Sequence, residues 1–362
     1  MRSILLVVAS FAITILVWGL YGPVLHLGQA AMVTEAGRET GERYARLRPF
    51  VCVGMAYFAI GVIVPAILLK LKGEKGEWTA GGILYSLTGG ALGAVGALGI
   101  IMAFNFGGKP IFVMPLVFGG APVVNSFLTI YWAKKMKEIG PLFLAGLVMV
   151  LLGAVTVLIF SPKPAKPKTQ TIAAEKTETP AAEETANLQP VTESHKMRNF
   201  ILQIASIATV ILCWGAYGPV LHKGQAAMHH SRLRPLLCVG LAYFAIAVIV
   251  PNLLLLGLPE ASHYNFKGTS WSLAAGAAGS IGALGIIMAF NFGGKPVFVM
   301  PLVFGGAPVV NTLFTTISGG LLSEVSAFFL AGLILVIAGA AMVLVFAPKN
   351  PPPAKVAAAP AT

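Results

Sequence analysis

Residues 93–125 of this chain, GAVGALGIIMAFNFGGKPIFVMPLVFGGAPVVN, return at 279–311 with only three substitutions (Ala94/Ser280, Val95/Ile281, Ile111/Val297). An earlier block repeats too: Trp18-Gly19-Leu20-Tyr21-Gly22-Pro23-Val24-Leu25-His26 returns as Trp214-Gly215-Ala216-Tyr217-Gly218-Pro219-Val220-Leu221-His222. The offset falls from 196 to 186 between the blocks, so copy one carries a ten-residue polar insertion within residues 33–45. A duplication this extensive fixes the fold before any local reading: one unit is used twice.

Each unit holds five apolar runs long enough to cross a bilayer, which takes about 20 residues of helix. In copy one they are 4–25, 50–69, 81–104, 110–132 and 141–160; in copy two they are 200–221, 235–256, 269–290, 296–317 and 326–346. Each must satisfy its own backbone in lipid, so each reads as a helix. The expectation is an all-α membrane protein with ten transmembrane helices. The first run resembles a secretory leader, yet its counterpart at 200–221 lies mid-chain, so by parity it reads as a retained helix.

Composition agrees. Of 362 residues, 57% are hydrophobic and 10% charged, far from the quarter that soluble chains carry. The net charge of +12 lies between apolar runs with no aromatic-and-basic stripe, which argues against nucleic acid. All 13 acids are Glu, and the three cysteines (Cys52, Cys213, Cys238) sit inside apolar runs, so no disulfide scaffold is expected. Residues 162–196, rich in Pro, Ala, Thr, Lys and Glu, read as a disordered linker between repeat 1 (1–161) and repeat 2 (197–349), and 350–362 as a disordered tail.

Five spans per unit is an odd number, and the linker adds none. The second unit must therefore enter the membrane from the opposite face, giving inverted five-helix repeats. That symmetry is typical of secondary transporters, with the substrate at the repeat interface near the midplane. The other reading is a duplication kept for packing alone.

Trp-Gly near the end of the first span, Arg46, Arg48 and Pro49 (Arg234 and Pro235 in copy two) entering the second, Ala103-Phe104-Asn105-Phe106 followed by Pro122, and Leu144-Ala145-Gly146-Leu147 with Gly153 in the fifth together resemble the EamA-type unit of the drug/metabolite transporter superfamily in its ten-helix form. The resemblance covers both halves. It implies transport of a small polar metabolite (a sugar, amino acid or similar) by alternating access, and both termini in the cytoplasm. Lys and Arg counts give 13 on the face holding the termini against 12, or against 7 once the linker is set aside. The expected location is the cytoplasmic (inner) membrane.

The third spans carry a glycine at every third position, including Gly93 and Gly96, and Gly279 and Gly282, a track that lets helix backbones approach closely. The fourth spans hold Pro115 and Pro122, and Pro301 and Pro308, each removing a helical hydrogen bond; they are candidate hinges or static kinks. Polar groups in an apolar bundle are candidate substrate ligands: Asn125 and Asn311; His26 with Gln29, and His222 with Gln225, after a Gly-Pro break; Asn105 and Asn291. The alternatives are interhelical hydrogen bonds for the asparagines and helix-end capping for the histidines. Lys109 and Lys295, in the turns between spans three and four, either flank the pathway mouths or snorkel to headgroups. Trp18, Tyr21, Trp214 and Tyr217 read as an interfacial belt in preference to cavity lining.

No carboxylate falls within a span, and no zincin, phosphate-loop, metal or Ser/His/acid constellation is present in the membrane portion. No enzyme activity, cofactor or metal is expected; the partners are the lipid bilayer and a small-molecule substrate. The contrasting function is a non-transporting membrane scaffold or an intramembrane lipid-modifying enzyme.

Overall fold

The computed structural model describes residues 2–39, 41–134, 136–160, 162, 189–257 and 260–346. The expected tail and most of the expected linker, 163–188, lie outside the described residues. Among those described, every regular element is helical, save an isolated bridge between Val33 and Ser262. The first half comprises α1 (Arg2–Met32), a short α2 (Glu35–Glu39), α3 (Leu47–Phe58), α4 (Val64–Lys72), α5 (Ala80–Asn105), α6 (Pro110–Trp132) and α7 (Pro141–Ile159). The second comprises α8 (Gln189–Ala227), α9 (Leu233–Phe244), α10 (Val250–Gly257), α11 (Phe266–Asn291), α12 (Pro296–Ser318) and α13 (Ala327–Phe346).

Seven stretches among the described residues are long and apolar enough to cross a membrane: Ile4–Met32, Leu47–Lys72, Ala80–Asn105, Pro110–Trp132, Lys196–Ala227, Leu233–Gly257 and Phe266–Asn291. Pro141–Val157, Leu302–Ser318 and Ala327–Val343 are apolar but shorter. Large apolar side chains cover the outside, among them Phe266, Leu256 and Leu71. Such an exterior suits lipid and not water. These features fit a multi-pass membrane protein.

Three local expectations are corrected. The first helix of each half was expected to stop near Gly22-Pro23 and Gly218-Pro219; instead α1 runs on to Met32 and α8 to Ala227, with Pro23 and Pro219 inside them. The residue four before each proline, whose carbonyl meets the ring, is Gly19 or Gly215. Those glycines also receive a neighbour: a Cβ on Gly19 would lie 2.5 Å from Val310, and one on Gly215 2.5 Å from Val124. Helix α8 begins at Gln189, inside the stretch expected to be linker. The second helix of each half is interrupted by a π-helical turn, Ala59–Ile63 or Ala245–Ile249, ahead of Pro65 or Pro251. Each proline lacks the N–H that would continue the α ladder, and the wider turn re-pairs the chain: the N–H of Val64 reaches back five residues to the carbonyl of Ala59.

The halves interleave. Helix α1 packs chiefly on α11 and α12, and α8 on α5 and α6; α3 meets α9 and α11, α6 meets α12, and α7 meets α13. Each such contact has a counterpart with the halves exchanged. Glycine makes the closest of them possible. A Cβ on Gly96 would lie 2.1 Å from Nε1 of Trp214, and one on Gly282 2.0 Å from Nε1 of Trp18. Gly90 and Gly276 face the backbones of Val239 and Val53 in the same way.

The Asn-Phe-Gly-Gly-Lys-Pro turns also have a conformational cause. Gly107 and Gly293 adopt φ +99°, and the amides of Gly107 and Gly108 bond back to the carbonyls of Phe104 and Ala103. This is a Schellman ending to α5, followed by proline at the first turn of α6. Gly282→Ala is expected to destabilise the folded protein by about 1–3 kcal/mol, the range for overpacking a filled site. Thermal melts in detergent against wild type, with exposed Gly81→Ala as control, measure it.

Candidate functional site at the seam between the halves

Helices α1 and α8 place a tryptophan and a tyrosine one turn apart on a single face: Trp18 with Tyr21, and Trp214 with Tyr217. Together with Tyr57 and Tyr243, from just before the π turns, and with Gly93 and Gly279, they line a cavity where the halves meet. Every lining residue has its repeat counterpart opposite. Trp18 and Trp214 stack at 6.3 Å between centroids, and Tyr57 and Tyr243 at 3.5 Å with planes 3° apart. Trp18 lies 6.1 Å from Tyr217, and Tyr21 lies 5.9 Å from Trp214.

Hydrogen bonds fix the rings. Trp18 Nε1 donates to the Gly279 carbonyl at 3.2 Å, and Trp214 Nε1 to that of Gly93 at 3.3 Å. The missing side chains at Gly93 and Gly279 make room for Tyr243 and Tyr57, whose ring atoms would each lie 2.9 Å from an added Cβ. The hydroxyls of Tyr21 and Tyr217 are buried without a partner. A buried polar atom left unpaired is costly, so these two are the groups able to bond something new. The cavity is about 20 Å³, room for little more than one water molecule.

This placement corrects the belt reading of Trp18, Tyr21, Trp214 and Tyr217: they face the seam, and both tyrosines are only 4% exposed. The residue type alone misleads, because a ring with one polar tip suits an interface as well as a packed seam. The available signal was the glycine track, whose gaps need large partners to fill them.

The polar residues singled out in the sequence do not line this cavity. They form three other groups. His26 packs at a tilt on Tyr44 and edge-on to Phe104, Gln29 Nε2 donates to the carbonyls of Ala45 and Ile101, and Asn105 Nδ2 donates to that of Tyr44 at 3.0 Å. These three therefore gather at the C-terminal end of α1. In the second half His222 packs on Phe290, Gln225 Nε2 donates to Ile287 at 3.1 Å, and Asn291 Nδ2 donates to His230 at 2.8 Å. Asn125 and Asn311 form the third group: fully buried, their amides donate across to the carbonyls of Pro296 (3.2 Å) and Pro110 (3.1 Å), each the first residue of the other half's fourth helix. These are bonds between helices, with Oδ1 of both left unpartnered. Lys109 and Lys295 are exposed and immediately precede α6 and α12. Pro115 and Pro122 lie within α6, which stays continuous; Pro301 and Pro308 fall within the span of α12. Among the described residues no cluster of His, Cys and Glu is arranged to hold a metal.

Sequence reasoning passed over two carboxylates in the loops. Glu74 and Glu260 are repeat counterparts with side chains 4% and 2% exposed, and each reaches into the other half. Glu74 accepts from Ser231 Oγ at 2.6 Å, from the backbone amides of Arg232 and Leu233 at 2.9 and 3.0 Å, and from Arg232 Nε at 2.8 Å. Glu260 accepts from the amides of Arg46 and Leu47, and pairs with Arg46 and Arg48. Arg46 and Arg232 occupy the N-cap positions of α3 and α9, and neither side chain caps its helix. The carboxylate of the opposite half does so instead, next to the positive end of the helix dipole. Arg48 lies over the ring of Tyr264 and Arg234 over Trp78, each at 5.7 Å.

No family model matches the chain, and no curated protein matches it. Solved structures do: one crystal structure is similar over 94% of this chain and 97% of its own, with a TM-score of 0.55 at 16% sequence identity. The chain shares that fold across nearly its whole length.

Burial by itself would raise the Glu74 carboxyl, but the bonds from Ser231, Arg232 and Leu233 outweigh it and hold the group below the usual carboxylate range. A carboxylate lowered in the folded state stabilises it above the unfolded-state value, about 4.3, and loses that contribution as pH falls through the lower folded value. Wild type is therefore expected to lose melting temperature below about pH 4.3 more steeply than Glu74→Gln, which starts about 2 kcal/mol less stable at neutral pH. Parallel melting curves from neutral to acid pH check this.

Proposed function

We propose that this protein is a secondary transporter of a small polar metabolite, built as ten transmembrane helices in two inverted five-helix repeats of the EamA type, and working by alternating access. The observation that carries the reading is the aromatic cavity. It sits on the seam between the repeats, is lined in equal parts by both, offers two unpaired hydroxyls, and is too small to hold a metabolite as it stands. Ligand sites run to about 300 Å³ or more, so the seam must open to admit one.

The paired carboxylates suit the same reading. With an odd number of spans per repeat, the Glu260 contact to α3 and the Glu74 contact to α9 fall on opposite membrane faces. Each fastens a loop of one half to the second helix of the other. Both are made here, as an occluded state would require; in this reading release of one opens one face while the second holds the other shut. The π turns beside Tyr57 and Tyr243 lie where a second helix would flex. With no carboxylate in any span, an exchanger or uniporter is the simplest coupling. The excess of Lys and Arg on the face holding the termini, and the EamA resemblance, support an inner-membrane protein with both termini in the cytoplasm.

Counterflow in proteoliposomes, with a panel of labelled sugars, amino acids and nucleosides, tests the proposal. Wild type is expected to exchange at least one class. Trp18→Ala and Trp214→Ala should each cut that exchange about fivefold or more, as loss of a stacking partner worth about 1 kcal/mol implies. Asn125→Ala should chiefly lower the melting temperature. A tightly sealed, folded wild type that exchanges nothing in the panel, or exchange indifferent to both tryptophans, would sink the cavity assignment.

A further inference from the structure

The region where α6 gives way to α7 carries cations that its repeat counterpart, residues 317–323, lacks. An open groove of about 420 Å³ is lined there by Tyr131, Trp132, Lys134, Met136 and Lys137. The chain reverses sharply at Lys134, which adopts φ +58°, and this brings Lys134 and Lys137 to one groove. A third cation stands close by. Lys223, from the end of α8, holds its ammonium 3.5 Å above the Trp132 ring and 5.6 Å from that of Tyr85.

The fourth helices α6 and α12 are otherwise near copies, and fold alone does not demand these charges. The last turn of α12 and the segment after it, residues 315–325, read TTISGGLLSEV and contain no lysine or arginine. The cations therefore belong to one end of the bundle only. Their surroundings are those of a membrane surface. Tyr131 is two-thirds exposed, Tyr and Trp are the residues that settle at headgroup level, and Leu142 at the start of α7 presents an exposed apolar side chain beyond the turn.

We propose that this groove binds the headgroup of an anionic phospholipid. Lys134 and Lys137 take the phosphate as point charges, Trp132 and Tyr131 lie along the glycerol region, and the acyl chains run down the apolar exterior. Glu138 shares the turn, so the lysines set the sign of the local charge only together. Basic pockets between membrane helices on a cytoplasmic face are suited to this role. Nothing in the argument depends on which metabolite the chain carries.

The test is native mass spectrometry of the full chain in detergent, titrated with phosphatidylglycerol and with phosphatidylcholine. Wild type is expected to prefer phosphatidylglycerol by about tenfold or more, and Lys134→Gln/Lys137→Gln to lose most of that preference. Lys70→Gln/Lys72→Gln, at the end of α4, should keep it, which separates a built groove from a generally basic surface. These side chains at 134 and 137 are exposed, so the variants leave the fold intact. Equal affinity for both lipids in wild type, equal loss in both double variants, or full displacement by millimolar inorganic phosphate would overturn the assignment; the last would mark a free-phosphate site.

Discussion

The structure depends on how closely the glycine-rich third helix of each half meets the tryptophan-bearing first helix of the other. In lipid, apolar side chains gain nothing by leaving solvent for one another, because the solvent is itself apolar. Helix association rests on packing and on hydrogen bonds between helices. Here both come from the same indole in each half. Gly96 and Gly282 admit an indole where a methyl group has no room, and the indole N–H finishes on the carbonyl of Gly93 or Gly279. Once those contacts form, Tyr21, Tyr217, Tyr57 and Tyr243 are brought to a common cavity.

A second constraint acts at the ends of the bundle. An arginine is a poor N-cap, so α3 and α9 begin with open amides next to guanidinium groups. Glu74 and Glu260 answer both needs at once, accepting from the amides and pairing with the arginines. A contact made of a few charge-assisted bonds between two loops differs in kind from the glycine–indole packing. It can break without unpacking a helix.

Much of the architecture was legible before any coordinates. Helical content follows from apolar run length, and the internal repeat predicts that whatever one half does, the other does too, as the paired contacts of Trp18/Trp214 and Asn125/Asn311 bear out. The glycine track announced close helix approach, and the Gly-Gly-Lys-Pro turns announced a helix end. The failures are equally specific. Pro23 and Pro219 looked like helix stops, but a proline whose upstream neighbour is glycine, held between packed helices, stays inside the helix. The π turns left no periodic mark, since their cause is the absence of one amide proton. Gln29 and Asn105 were singled out because they are polar; the structure gives their amides to loop and helix carbonyls, while His26 packs among aromatic rings. The site that stands out is instead aromatic, a residue class that hydropathy arguments assign to the surface.

What the sequence determined by itself was the unit, its doubling, its helices and the small residues along them, because each depends on composition and spacing within a few turns of chain. Only the tertiary structure decided which glycine takes which indole, that a glutamate caps a helix in the opposite half, and that the four Trp and Tyr residues of the first helices face inward. The indole–carbonyl bonds alone join residues 121 and 261 positions apart. They exist only when two near-identical halves have docked in one particular way, and a repeated sequence states each partner without stating which copy it meets.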